Sequence, residues 1–350
     1  MKIAPIMAEL QRRPRLKGRL IHTGQHFSPD MSDAFFRDLD LPQPDENLGI
    51  GAGTQSGQTA AIMLAIERCF LDQRPDLALV VGDVTSTVAV ALVAAKMDIP
   101  LAHVEAGLRS FDRRMPEEIN RIVTDALSEY LFVTEPSGIR NLRAEGVSME
   151  KIFFTGNVMI DTLIRFRESA AQSQVLERLG VCRGAYVLAT LHRPSNVDDP
   201  GQLHGLADLL MTIARRLPVV FPVHPRTERR MREAQLSSTG LILTPPLGYL
   251  DFLQLMTGAR LVLTDSGGIQ EETTVLQVPC LTLRENTERP ITVEIGTNRL
   301  VGTDPAKALE AALQVLSEAP RPARIPELWD GHAAGRILAV LEERLCAGPS

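Results

Sequence analysis

Two doubly wound α/β domains, each a parallel sheet wrapped by helices, are the fold class this sequence predicts, and three observations predict it. Short apolar runs alternate with stretches whose apolar residues recur at helical spacing. That rhythm runs from residue 19 to residue 154 and restarts at residue 186. Reactive side chains follow five of the apolar runs directly, and open α/β sheets bind ligands at the carboxyl ends of their strands. A length of 350 residues agrees, since ~150 residues per domain gives about two domains.

The strands expected in the first domain are residues 19–22, 77–81, 101–104, 130–133 and 152–154, with helical patterns at 58–70, 85–96 and 117–127. The second set comprises 186–190, 219–222, 241–243, 261–263 and 280–283, most of them followed by a helical pattern. A polar, helix-prone stretch after Gly156 and Asn157 marks the join, giving domains over 1–162 and 163–332. The last segment, 333–350, holds a helix with no strand after it, expected to pack back on the first domain.

Composition narrows the function. The 37 basic and 43 acidic residues sum to -6, which repels a nucleic-acid backbone and leaves room only for a local basic pocket that takes a small anion. Hydrophobic residues at 44% and charged residues at 23% exclude extensive disorder. Cys69, Cys182, Cys280 and Cys346 form no C-x-x-C pair, so neither a zinc site nor a disulfide framework is expected. No apolar run approaches the ~20 residues that span a bilayer. The expectation is a cytoplasmic protein that binds neither membrane nor nucleic acid and needs no metal or cofactor. Gly49, Gly51, Gly53 and Gly57 imitate a dinucleotide fingerprint, but they follow no strand, so no NAD site is expected.

The strand ends carry the chemistry. Asp83 follows Val81-Gly82, and Glu105 follows His103-Val104. His192 follows Thr190-Leu191, His224 follows Pro222-Val223, and Asp265-Ser266-Gly267-Gly268 follows Leu263-Thr264. The last of these reads as a buried strand, a tight turn and a helix opening with free N–H groups, which is an anion site or else a well-capped βα turn. Glu272, one turn further on, suits ribose hydroxyls. Asp83, Glu105 and Glu117 form a carboxylate group fit for acid/base chemistry, because neighbouring carboxylates raise one another's pKa. Glu117 is also a good first-turn residue after Pro116. His192 and His224 each have an arginine within two positions, a pairing that suits a pyrophosphate; core histidines and, less well, metal ligands are the alternatives.

Seven runs then resemble one family. They are Gly82-Asp83, His103-Val-Glu-Ala-Gly-Leu-Arg109, Met115-Pro-Glu-Glu-Ile-Asn-Arg121, Thr155-Gly-Asn157, His192-Arg193, Leu263-Thr-Asp-Ser-Gly-Gly-Ile-Gln-Glu-Glu272 and Thr287-Glu-Arg-Pro290. In this order, across nearly the whole chain, they are similar to the non-hydrolysing UDP-N-acetylglucosamine 2-epimerases. The resemblance implies two Rossmann-like domains in a glycosyltransferase-B-like arrangement, a UDP-sugar in the cleft and a homodimer. It also implies reversible conversion of UDP-N-acetylglucosamine to UDP-N-acetylmannosamine by elimination and re-addition of UDP, supplying cell-surface polysaccharide. By resemblance, Asp83, Glu105 and Glu117 handle the C2 proton and the cationic sugar, and His192 stabilises the leaving diphosphate. Lys2, Arg109, Ser266, Gly267, Gly268, Glu272 and Arg289 bind substrate. Gln25, Arg193 and His224 are implied in a second, activating sugar-nucleotide site.

Three departures from the family pattern stand out. Ser195 occupies a position where many relatives carry Glu, and Ser28 stands where a second Gln is expected. The family's first strand, ending in Gly-Thr-Arg-Pro-Glu, has no counterpart before Lys2, so a gap between parallel strands of the first domain is expected. Competing functions on the same fold are a hydrolysing epimerase that releases free N-acetylmannosamine, a glycosyltransferase, and a nucleotide-sugar sensor. A related uronate is a competing substrate. Three proton-transfer carboxylates would be surplus to a sensor or a simple transferase.

Overall fold

A computed structural model describes residues 1–24, 38–51, 53–236, 239–319 and 323–346. The chain forms two compact units, Met1–Ile164 with Glu327–Ser350, and Arg165–Pro326. The chain thus passes between units at 164/165 and 326/327, against the 162/163 and 332/333 expected. Residues 327–332 group with the first unit because the buried Trp329 donates its indole N–H to Thr134 O at 2.9 Å.

In the first unit, strands β1 (Ile21–His22) and β2 (Glu46–Asn47) pair in parallel. Four further strands form a separate parallel sheet in sequence order: β3 (Ala78–Val81), β4 (Leu101–Ala106), β5 (Tyr130–Val133) and β6 (Ile152–Phe154). Among the described residues no strand joins the β1–β2 pair to β3. Strand β4 is buried along its whole length, as a central parallel strand covered on both faces must be. The helices Gln55–Asp72 and Thr85–Lys96 place Ile62, Ile66, Ala89 and Val93 in a core with Val80 and Leu101. Another core joins Val104 and Phe132 to Ile6 of helix Ala4–Leu10 and to Ile337, Leu338 and Leu341 of helix Ala333–Cys346. Asp161 caps that last helix, accepting from Ala333 N at 3.1 Å and Ala334 N at 2.7 Å.

The second unit has six parallel strands: β7 (Val187–Thr190), β8 (Val219–Pro222), β9 (Leu241–Thr244), β10 (Leu261–Thr264), β11 (Cys280–Thr282) and β12 (Asn298–Leu300). Their order across the sheet is β12-β11-β10-β7-β8-β9. Chain order therefore runs outward in opposite directions from the β7–β10 neighbours, and such a switch point opens a crevice at the strands' carboxyl ends. Helices Pro200–Ala214 and Pro305–Ser317 start with the caps Asp199 and Asp304 followed by proline. They bury Leu203, Leu206, Leu210, Ala308 and Ala312 against the sheet. No helix among the described residues is long and apolar enough to cross a membrane.

Candidate functional site

Reactive side chains gather at the carboxyl ends of the strands in each unit. In the first unit β4 shifts register between Val104 and Ala106, so Glu105 is the bulged residue. Its φ is +74°, a left-handed conformation that costs a non-glycine residue ~1–3 kcal/mol and persists only when its surroundings over-determine it. Bulges re-aim side chains beside functional sites. The Glu105 side chain is buried, and its Oε2 accepts from Lys2 Nζ at 2.6 Å. Gly82, at φ +72°, closes β3 against this pair. A Cβ added there would lie 3.1 Å from Lys2 Nζ and 3.9 Å from Glu105 Oε2.

Asp83 comes next and forms an ion pair with Arg121, while its backbone oxygen accepts from Asn120 Nδ2 at 2.8 Å. Arg121 also donates to Glu118 Oε2 at 2.6 Å. Glu118 accepts from Ser110 N, Ser110 Oγ and Phe111 N, each at 2.9 Å. Burial alone would raise the Glu118 carboxyl, but the Ser110 N–H, the Arg121 guanidinium and the Phe111 N–H together hold it below the usual carboxylate range. Helix Pro116–Leu127 thus commits Glu118 and Arg121 to holding the site loop, and Glu117 stands partly exposed in the same first turn.

Arg109, expected at the substrate, is buried against two carboxylates. Its Nη1 lies 2.7 Å from Asp125 Oδ2, and Nε and Nη2 donate to Glu145 at 2.8 and 2.7 Å. Both sides of the guanidinium are occupied in this structure.

In the second unit the sites meet at the switch point. Asp265, just past β10, accepts from the backbone of the β7 turn: His192 N at 3.0 Å and Arg193 N at 2.9 Å. Asn196 Nδ2 donates to it at 3.1 Å, and His192 Nδ1 lies 2.8 Å from its Oδ1. Burial would raise this carboxyl; the bonds from His192, Arg193 N–H and Asn196 outweigh burial and hold it low. An ionised Asp265 fixes the hydrogen of His192 on Nδ1.

The His224 ring centroid is 6.0 Å from that of His192. His224 Nδ1 accepts from Arg226 N at 3.2 Å and caps helix Pro225–Glu233. Burial and then the nearby His192 and Arg226 push its pKa below the ordinary histidine value. Both rings line an open pocket of about 190 Å³ with Thr190, Pro222, Leu247 and Phe252. Gln25, expected beside Arg193 and His224, lies outside the described residues.

Ser266 is the N-cap of helix Gly267–Leu276 and makes no side-chain cap bond to it. A Cβ at Gly267 would come 2.6 Å from Arg289 Nη1, so any side chain there would require the guanidinium to shift. Gly268 follows in the first turn, partly exposed. Arg289 is itself buried between Glu271 Oε1 at 2.8 Å and Glu288 Oε1 at 2.5 Å. Glu272 accepts from Tyr249 Oη at 3.1 Å, and burial, with Glu271 nearby, pushes its carboxyl up to about 8. Among the described residues no group of His, Cys, Asp and Glu is arranged to hold a metal.

The sequence reading passed over Glu118 and Arg121, whose i, i+3 spacing after Pro116 was the available signal. It also passed over the His103–Asp125 pair, which lies 22 residues apart and left no local signal.

The comparisons with known proteins agree with this geometry. A family model described as UDP-N-acetylglucosamine 2-epimerase matches residues 8–342. A UDP-N-acetylglucosamine 2-epimerase of Methanocaldococcus jannaschii is 41% identical, over 97% of this chain and 95% of the relative. The solved structure of a Methanocaldococcus jannaschii UDP-GlcNAc 2-epimerase in complex with UDP-GlcNAc and UDP superposes with a TM-score of 0.91 over 97% of this chain and 95% of that one. A UDP-2,3-diacetamido-2,3-dideoxy-D-glucuronate 2-epimerase of Pseudomonas aeruginosa is 42% identical, over 84% of this chain and 82% of the relative. On the family model over residues 8–342 and relatives 41% identical along nearly the whole chain, the protein belongs to the UDP-N-acetylglucosamine 2-epimerase family.

Proposed function

We propose that the protein is a non-hydrolysing epimerase that interconverts UDP-N-acetylglucosamine and UDP-N-acetylmannosamine, retaining UDP in the product. The observation that carries this reading is Glu105, buried on a bulge against Lys2 in a strained conformation, since a pre-oriented carboxylate is what proton transfer at an unactivated carbon demands. The C2 hydrogen leaves as a proton, its electron pair forms the C1–C2 double bond, and the C1–O bond breaks to release UDP. Re-addition returns the UDP oxygen to C1 and a proton to the opposite face of C2.

In this assignment Asp83, Glu105 and Glu117 exchange the C2 proton and stabilise the cationic sugar. Lys2, paired with Glu105, contacts the substrate, and His192, held by Asp265, stabilises the departing diphosphate. Ser266, Gly267 and Gly268 receive phosphate oxygens at the helix start, where N–H groups and dipole favour an anion. Glu272 takes the ribose, with Arg289 setting the adjacent charge. Arg109 contributes through the fold. Arg193 and His224 flank the pocket proposed for a second sugar nucleotide, with Gln25. We place the enzyme in the cytoplasm as a homodimer, on its four free cysteines and the family resemblance; light scattering of the purified protein tests the dimer.

Product analysis tests the reaction. UDP-N-acetylglucosamine should yield UDP-N-acetylmannosamine to a fixed ratio, reached also from the opposite side. Free N-acetylmannosamine with stoichiometric UDP would establish the hydrolysing reaction instead. The Pseudomonas aeruginosa relative supports a second substrate, a diacetamido uronate. Offering both sugar nucleotides at equal concentration ranks the two by kcat/KM.

A further inference from the structure

His103 is fully buried, and both of its ring nitrogens face acceptors. Nδ1 lies 2.6 Å from Asp125 Oδ1, and Nε2 lies 2.9 Å from the carbonyl oxygen of Gly82. A backbone carbonyl only accepts, so Nε2 must carry hydrogen. Asp125 is already an acceptor twice over: its Oδ2 takes the Gly107 N–H at 3.0 Å and sits 2.7 Å from Arg109 Nη1. A carboxylate so placed is ionised, and it too requires a donor from the ring.

The partners join two turns. Gly82 leads into Asp83 at the end of β3. Gly107 follows Glu105 and Ala106 at the end of β4, with φ +77° and so little space that a Cβ would meet Gly138 O at 2.5 Å. The turns bearing two of the proposed proton-transfer carboxylates are thus tied to one buried pair.

We infer that His103, carrying hydrogen on both nitrogens, and Asp125 form a positioning clamp that holds the Asp83 and Glu105 turns in register for chemistry at C2. The inference rests on the proposed function. His103 and Asp125 are positioning residues: they contact backbone, and their effect passes through Gly82 and Gly107. A displacement of about 1 Å at such carboxylates is enough to lower a rate by ~10².

The test has two arms. In the unaltered protein, 15N NMR of labelled histidine at neutral pH should show both His103 ring nitrogens protonated, with near-equal shifts. A bare nitrogen on that ring would overturn the clamp. In H103Q and D125N, kcat and C2 deuterium exchange should fall ~10- to 100-fold while the Kd for UDP stays within about twofold. Folded variants with unaltered exchange would overturn it equally, and so would an equal loss of UDP affinity, which marks general damage to the fold. Should the variants not fold, the ring measurement decides. Absence of C2 exchange in the unaltered protein would remove the proposed function instead, and the ring measurement, which needs no substrate, would still judge the clamp.

Discussion

Glu105 reaches its place through side chains and a strained backbone, whereas Ser266 reaches its place through strand order alone. In the first unit four acids are set against a cation or imidazole: Glu105 on Lys2, Asp83 and Glu118 on Arg121, Asp125 on His103 and Arg109. In the second unit, backbone N–H groups and a helix start converge where β7 and β10 lie side by side. The contrast follows from the chemistry each region would serve. Moving a proton needs a carboxylate of set orientation and charge environment, whereas holding a diphosphate needs donors that are in place before the ligand arrives.

If that division is right, damage to the first region should fall on turnover and damage to the second on nucleotide binding or orientation. The largest effect expected is for E105Q, a ~100-fold or greater loss of turnover with the UDP Kd unchanged, because removing a general acid or base costs ~10² to 10⁴. Unchanged turnover in a folded variant would break the assignment. D265N should follow: it loosens the β7 turn and frees the His192 ring, lowering turnover ~10- to 100-fold and unfolding free energy by ~1–3 kcal/mol.

R109M sharpens the comparison from another side. It removes one of the three partners of Asp125, leaving His103 and the Gly107 N–H, and should lower unfolding free energy by ~1–3 kcal/mol in urea titration. A loss of substrate affinity without a loss of stability would return Arg109 to the substrate. S266A should weaken UDP binding ~2- to 10-fold by calorimetry and leave kcat nearly intact.

A further test concerns pH. Burial raises Glu272 from 4.5 to about 8, so between those values the folded state holds a proton that the unfolded state has lost, and stability falls as pH rises. In E272Q that decline disappears. The unfolding free energy of E272Q minus that of the unaltered protein should therefore grow from pH 4.5 to pH 8 and then level off. A difference that stays flat would show that Glu272 remains ionised throughout.

Much of the second region was legible in the sequence. An unbroken apolar run over 261–263 can only be a buried strand or helix segment. The small residues Ser266-Gly267-Gly268 after it end the strand and open a helix, as observed at β10 and Gly267–Leu276. Apolar periodicity carries no strand order, so the β7–β10 adjacency that brings Asp265 to His192 emerged only from the fold. In the first region the pattern marked β4 but ended it at residue 104, because a bulge adds a residue without changing composition. Glu117 and Glu118 both follow Pro116 and cap statistics treat them alike, so the sequence does not separate them; rotation about the helix axis turns Glu118 inward and leaves Glu117 partly exposed. Strand β2 escaped notice in a proline-rich stretch, where two residues show no alternation.

The central claim is that the carboxylate region exchanges the C2 proton while UDP is retained. Incubation with UDP-N-acetylglucosamine in heavy water, followed by NMR of the sugar nucleotides, tests it most directly. The account predicts deuterium at C2 in both epimers with the C1–O–P linkage intact at equilibrium. Inversion at C2 with the original hydrogen kept, or free deuterated sugar as the main product, would contradict it.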